Sequence, residues 1–358
     1  VVVLTSKWGK ERRKKHKMDG FLVYRFKPFN LPEFHAIPQI SSLRFNLFML
    51  LHVPKIVKRH QIQLIHVQGR LFPISWLSAL INLLILRRPM FLTVHGRLGV
   101  GITGLVENVF DKIITTNVYR RLNHVICVSE SLKQRLLDFK MAPEKMTVIH
   151  NGVDTSNFQK GDEEDFFEPY LEGKNHYKRV IFVGRLDIQK GVEYLIKAIP
   201  DVVEHYEKVH FFLLGNGNLE QKLKALTLHF GVQEHVTFLD MIPFEKMPSF
   251  YSSADVFCLP SLYEGFPISI AEALSMGLII VASKIEGIPE AIEENENGFL
   301  MEPRDVQQLT QKLLKALKLD EDEVERIARN NVQKAKREYS WEKIVQEILR
   351  TYRKNLKT

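Results

Sequence analysis

Cysteine is nearly absent: the 358-residue chain has two, Cys127 and Cys258. Each sits in an apolar, β-branched run, His-Val-Ile-Cys-Val and Asp-Val-Phe-Cys-Leu-Pro. Both read as reduced core residues, which argues against a disulfide framework and fits a reducing compartment. Long apolar runs are also missing. The longest, residues 71–86, is broken by Pro73, Ser75, Ser78 and Asn82, and it falls short of the roughly 20 residues needed to span a bilayer. It reads either as a buried helix of an α/β domain or as a helix that dips into a membrane surface. There is no metal-ligand cluster, no zinc-knuckle spacing and no aromatic RNA-binding signature, so neither a metal nor nucleic acid is expected. Internal repeats and low-complexity segments are absent. The chain opens on Val1-Val2-Val3-Leu4-Thr5, without methionine or a charged leader. That opening reads as a strand already under way, with an N-terminal piece missing.

What is present is ordinary globular composition, 45% hydrophobic and 26% charged, at a length that suggests two domains. Charge is unevenly spread. Residues 1–160 carry 25 Lys and Arg against 9 Asp and Glu, a balance of +16, whereas the rest of the chain balances at −8. The densest run holds Lys10, Arg12, Arg13, Lys14 and Lys15. Such a cluster can bind nucleic acid, for which no motif is present, or meet an anionic membrane face, or it can be a solvated loop.

Short apolar runs alternate with helical stretches throughout. The strand candidates are 1–5, 21–26, 64–67, 90–94, 125–128 and 147–149, then 179–183, 210–214, 236–239, 256–259, 279–282 and 298–301. Most are continuous rather than alternating, as strands covered on both faces are, so the expected fold is α/β with parallel sheets. Residues 160–178 are polar and aperiodic, and a domain boundary is placed there. A final helix is expected to bury Trp341, Ile344, Val345, Ile348, Leu349 and Tyr352, with Ser340 as its N-cap.

Ligands of open parallel sheets bind beyond the strands' C-terminal ends. After 179–183 come Gly184, Arg185, Lys190 and Gly191. Close-approaching backbone with two cations suits a diphosphate, although solvated loop cations are the plainer reading. After 210–214 come Gly215 and Gly217, a common turn that could also bring amides near a phosphate or sugar. After 236–239, the loop Asp240-Met241-Ile242 could hold a nucleobase. After 256–259 comes Glu264-Gly265-Phe266-Pro267-Ile268, and Glu272 follows within a helix. That helix start would present free amides to a phosphate. Each carboxylate would accept two hydroxyls of a sugar or a ribose. In the first half, His95 stands at the C-terminal end of 90–94, as a cleft candidate or a structural histidine. His124 and His150 have no comparable context.

Together these segments resemble glycosyltransferase family 4, retaining sugar-nucleotide transferases of GT-B fold. The matching stretches are Phe182 to Gly191, Leu213 to Gly217, Pro260 to Pro267, Ala271 to Leu274, Leu92 to Gly96, Val128 to Ser131 and Asn151 to Asp154. The resemblance implies two Rossmann-like domains facing a central cleft: an acceptor-side domain over 1–165, joined by the C-terminal helix 341–358 crossing back to it, and a nucleotide-sugar domain over 175–340. It implies a metal-independent transfer of a hexosyl group from a UDP- or GDP-sugar, used as co-substrate with no cofactor. The acceptor would be a glycan, a lipid or a small molecule. Arg185 and Lys190 would neutralise the diphosphate, with the amides near Gly265 to Ile268. Glu272 would hold the ribose, Glu264 and His95 the transferred sugar, and Asp240 to Ile242 the base. The implied location is cytoplasmic, peripheral at a membrane if the basic half faces one. The family's opening strand and Gly-rich loop are not found here. The rival readings are a GT-B sugar-nucleotide epimerase and a non-catalytic nucleotide-sugar-binding relative.

Overall fold

The computed structural model describes residues 1–6, 15–26, 47–97, 102–161, 165–171, 173, 174 and 176–356. Lys10, Arg12, Arg13 and Lys14 lie outside the described residues. Contacts divide the chain into two compact units.

The first unit holds the described residues up to Val128, then Leu132–Val148, and the end of the last helix from Tyr352. Its strands are β1 (Val2–Ser6), β2 (Lys15–Met18), β3 (Phe21–Phe26), β4 (Ile65–Gln68), β5 (Met90–Val94), β6 (His124–Cys127) and β7 (Met146–Val148). They form one sheet of order β1-β3-β2 and another of order β4-β5-β6-β7. The second is parallel throughout, and β1 runs parallel to β3. Strand β2 was not anticipated by sequence. It pairs antiparallel with β3 across Asp19 (φ 48°) and Gly20 (φ 79°), an Asp-Gly hairpin whose two left-handed residues match the strand twist. Lys15 thus lies on a strand rather than in a solvated loop, with its ammonium 5.2 Å from the Tyr24 ring centre.

Residues 71–86 are not a uniformly buried helix. A helix over Pro73–Ile81 continues as a π-helical turn over Asn82–Leu86. Ser75, Ser78, Ala79 and Asn82 face inward, whereas Phe72, Leu80, Leu84 and Ile85 are exposed. The cause is Asn82. Its side chain donates to the Arg88 carbonyl and accepts from the Arg88 amide, and its own carbonyl takes the Arg87 amide, an i→i+5 bond that widens the turn. Among the described residues no helix is long and apolar enough to cross a membrane.

The second unit comprises Ser129–Ser131 and Ile149–Thr351. Its strands are β8 (Lys178–Val183), β9 (Val209–Leu214), β10 (Val236–Leu239), β11 (Val256–Leu259), β12 (Ile279–Ser283) and β13 (Gly298–Met301). They form one parallel sheet of order β10-β9-β8-β11-β12-β13. Strand β12 is buried along its whole length, and both cysteines are buried free thiols. The chain order reverses direction between β8 and β11. In a doubly wound sheet that switch point opens a crevice at the strand C-termini.

The units part after Val148, ahead of the polar stretch 160–178 that sequence marked. Phe158 and Phe167 explain the difference. Phe158 packs edge-on against Tyr251, and Phe167 stacks 4.0 Å from Phe212, so this linker's aromatics belong to the second unit's core. The last helix, Trp341–Leu356, has Lys343 NH donating to Ser340 Oγ at its start. Ile344 and Thr351 are buried, whereas Trp341, Val345 and Leu349, expected on the buried face, stay substantially exposed.

Candidate functional site

The loops leaving β8 and β11 meet at the switch point. After β8 the chain runs through Gly184 to Asp187, whose side chain caps a short 3-10 turn, Ile188–Lys190. Gly191 then adopts φ +62° and starts the helix Val192–His205. After β11, the loop from Pro260 to Pro267 leads into the helix Ile268–Ser275. Pro267 sits at the N-cap rather than inside the first turn, and no side chain caps the helix. Its first amides therefore remain available to an anion, where the helix dipole favours negative charge.

Close backbone contacts lock these loops together. A Cβ on Gly215 would stand 1.9 Å from the Gly184 carbonyl oxygen, and one on Gly217 2.2 Å from that of Leu186. One on Gly191 would meet the Pro260 carbonyl oxygen at 2.1 Å, and one on Gly287 that of Gly265 at 2.1 Å. Gly215 and Gly217 therefore serve loop-to-loop packing in this structure.

Charge is concentrated where the loops converge. Lys190 Nζ donates to Glu264 Oε1 at 2.6 Å, and Ser261 Oγ donates to the same oxygen at 2.8 Å. Both Lys190 and Glu264 are largely withdrawn from solvent. Glu286 accepts from the Glu264 amide at 2.6 Å, and Gln189 donates to the Tyr263 carbonyl. Among the described residues, Glu264 Oε2 has no protein partner. Arg185 is 64% exposed and is held by Asp187 at 2.9 Å and Gln189 at 2.8 Å. Glu272 repeats the pattern of Glu264: the Tyr251 hydroxyl donates to its Oε2 at 2.7 Å, and Oε1 is uncommitted among the described residues. Burial raises the Glu272 carboxyl above its ordinary value, and the Tyr251 hydrogen bond opposes that shift.

Asp240 and Met241 are exposed beyond β10, and Ile242 is half-buried. His95 belongs to the first unit, exposed at the end of β5, with Nε2 2.7 Å from Gln68 Oε1. Below it His66 is bonded to the Tyr352 hydroxyl and lies 2.7 Å from Thr93 Oγ1. Burial, and then the proximity of His95, lower the His66 imidazole to about 4. His124 is buried beside Thr147, and burial lowers it too.

His150 has a context the sequence did not reveal. Its Nε2 lies 2.9 Å from Glu290 Oε2, and its ring packs 4.6 Å from Phe266. Glu290 also accepts from the amides of Glu130 and Ser131, and bonding to His150 and these amides holds it below the usual carboxylate range against the effect of burial. Asn151 donates to the Phe266 carbonyl at 2.7 Å. Ser261, Glu286, Glu290 and Tyr251 were all missed. The strand-exit logic applied to residues 284–290 after β12 would have found two of them.

These features define a doubly wound α/β protein with an anion-ready helix terminus and two half-committed carboxylates at the sheet's switch point. Known proteins narrow the class. Residues 1–157 match the model for Glycosyltransferase Family 4, and residues 163–337 that for Glycosyl transferases group 1. The chain belongs to this glycosyltransferase family. An uncharacterized glycosyltransferase of Methanocaldococcus jannaschii is 32% identical over 64% of this chain, and the match spans 59% of that relative's length. The GPI3 subunit of phosphatidylinositol N-acetylglucosaminyltransferase from Saccharomyces cerevisiae is 27% identical over 89% of this chain and 68% of its own. Sucrose-phosphate synthase from Thermosynechococcus elongatus superposes with a TM-score of 0.82 over 99% of this chain and 88% of that one, at 19% identity. Anabaena HepE, solved with UDP-glucose, gives 0.76 over 93% and 86%, at 22% identity. The fold is GT-B.

Proposed function

We propose that this chain transfers a hexosyl group from a UDP- or GDP-sugar to an acceptor hydroxyl with retention of configuration. One observation carries the reading: Glu264 and Glu272 each spend one carboxylate oxygen on the protein and keep the other for a hydroxyl, on either side of an uncapped helix start. Glu272 is assigned to the ribose and Glu264 to the transferred sugar, with His95 as the first unit's candidate for a sugar contact. The exposed loop Asp240 to Ile242 is assigned to the base.

The bond between the anomeric carbon and the diphosphate oxygen breaks, and negative charge grows on the leaving group. Arg185, Lys190 and the first amides of Ile268–Ser275 stabilise that charge. The sugar becomes oxocarbenium-like, and the acceptor oxygen bonds to the same face. Its proton passes to a leaving-phosphate oxygen. Neither glutamate is needed as a base. The contact with Lys190 aims the Glu264 side chain, which suits hydrogen-bond acceptance. The yeast relative is named for phosphatidylinositol and N-acetylglucosamine, which supports a lipid acceptor and an N-acetylhexosamine donor.

Calorimetry with UDP, GDP and ADP tests the donor site. One of them should bind, and Glu272→Ala should weaken it roughly tenfold to a hundredfold, the loss of hydrogen bonds to a charged acceptor. Glu264→Ala should weaken the nucleotide less and the sugar nucleotide more. No binding by any of the three sinks the assignment. The anomeric configuration of the product, read by NMR, tests retention.

A further inference from the structure

The end of residues 71–86 presents large apolar side chains to solvent. Leu84 and Ile85 are 67% and 66% exposed, and Leu80, one turn earlier, is exposed with them. Large apolar side chains grouped in this way on a soluble fold mark a contact surface. The next two residues are Arg87 and Arg88, both exposed. They border a pocket of about 200 Å³ that Arg121, Asn82 and Asn123 also line. Among the described residues none of these three guanidinium groups has a carboxylate partner.

The pocket is built rather than incidental. Arg87 adopts a left-handed φ of 51°, and Asn82 clamps the Arg88 backbone through both ends of its amide. Opposite, Asn123 accepts from the Met90 amide at 2.9 Å, and Lys145 ties down the carbonyls of Arg120 and Leu122. The three arginines therefore stand on braced turns at the N-terminal ends of β5 and β6, the sheet end opposite His95.

We infer that the Leu80-Leu84-Ile85 ledge and the Arg87-Arg88-Arg121 pocket together dock the first unit onto an anionic lipid bilayer. The apolar side chains enter the interfacial region, and the pocket takes a lipid phosphate. An apolar ledge that runs directly into unpaired cations matches the layering of such a surface, acyl chains beneath charged head groups. The pocket is smaller than the roughly 300–1,000 Å³ typical of sites that enclose whole small molecules, which fits a head group whose remainder stays in the membrane. This inference does not rest on the donor-site assignment.

Flotation of the full chain with vesicles of phosphatidylcholine, alone or mixed with phosphatidylglycerol, tests it. The chain should co-float with the anionic vesicles and weakly with the neutral ones. Each neutralised arginine should cut partitioning about fivefold, so Arg87→Gln/Arg88→Gln/Arg121→Gln should cut it about a hundredfold. Leu84→Ser/Ile85→Ser should also weaken binding and leave what remains fully reversible by salt. All five positions are exposed, so thermal unfolding should be unchanged in both variants. Absence of vesicle binding, or binding unaffected by either variant, overturns the inference. So does binding lost only when Lys10, Arg12, Arg13, Lys14 and Lys15 are neutralised. A dimer that Leu84→Ser/Ile85→Ser dissolves, with no vesicle binding, would assign the ledge to a second copy instead.

Discussion

At the scale of single residues, the site is set by close approaches. Gly215 combines φ +139° with a carbonyl oxygen 1.9 Å from where a Cβ would stand. Gly215→Ala must push the β8 and β9 loops apart and should cost several kcal/mol. Gly231 has φ +67° but open space around it, so Gly231→Ala should cost only about 1–2 kcal/mol. Urea denaturation of both variants checks this, and equal costs would show that the contact is not rigid. Tyr251 is a second test. Its hydroxyl is the only donor to Glu272 among the described residues. Tyr251→Phe should weaken nucleotide binding about tenfold by freeing a carboxylate that must be aimed, and unchanged affinity in calorimetry would remove Tyr251 from the site. Glu264, Glu272, Arg185 and Lys190 were legible because each follows a strand in sequence. Tyr251 was not, because it follows no strand and lies about twenty residues from the carboxylate it serves, whereas Glu286 follows β12 and was open to the same reading.

At the scale of elements, continuous apolar runs located most strands to within a residue. Strand β2 escaped because its sequence, Lys-His-Lys-Met, carries no such run. A charged edge strand of this kind resists pairing with other chains, and only the Asp19-Gly20 turn announced it. Strand β9 carries a pH dependence. His210, beside Thr237 on β10, is lowered to about 4 by burial and by the nearby His235 and Lys174. The unfolded chain takes up this proton near pH 6.5, whereas the folded protein resists until about pH 4. Stability is therefore full above pH 6.5 and falls as pH drops toward 4, by up to about 3 kcal/mol from this group. Urea midpoints at pH 7 and pH 4.5 should show a shallower decline for His210→Phe than for the wild type. Identical slopes would place the sensitivity elsewhere, with His66 the next candidate.

At the scale of the whole molecule, the last helix serves both units, with Trp341–Thr351 in the second and its end from Tyr352 in the first. Within the first unit the Tyr352 ring packs 4.8 Å from Phe91 and 5.7 Å from His66. Tyr352→Ala should destabilise the first unit by about 2–4 kcal/mol, somewhat below the cost of a fully buried aromatic. If the units unfold separately, calorimetry should show a lowered first transition and an unmoved second. A uniform shift of both would show that they unfold as one.

The sequence by itself determined the α/β class, the parallel sheets and where most strands lie along the chain. All of these follow from local apolar periodicity and from the glycines, prolines and charges that end each strand. Tertiary structure decided which carboxylate oxygens were committed, because the donors on Lys190, Ser261 and Tyr251 reach across loops. It made Gly215 and Gly217 packing residues, because only the fold sets two backbones within contact. It also left Leu84 and Ile85 of the apolar run 71–86 exposed, on a turn that the buried Asn82 widens. Periodicity records which side chains are apolar, and the surface they meet depends on chain segments far away in sequence.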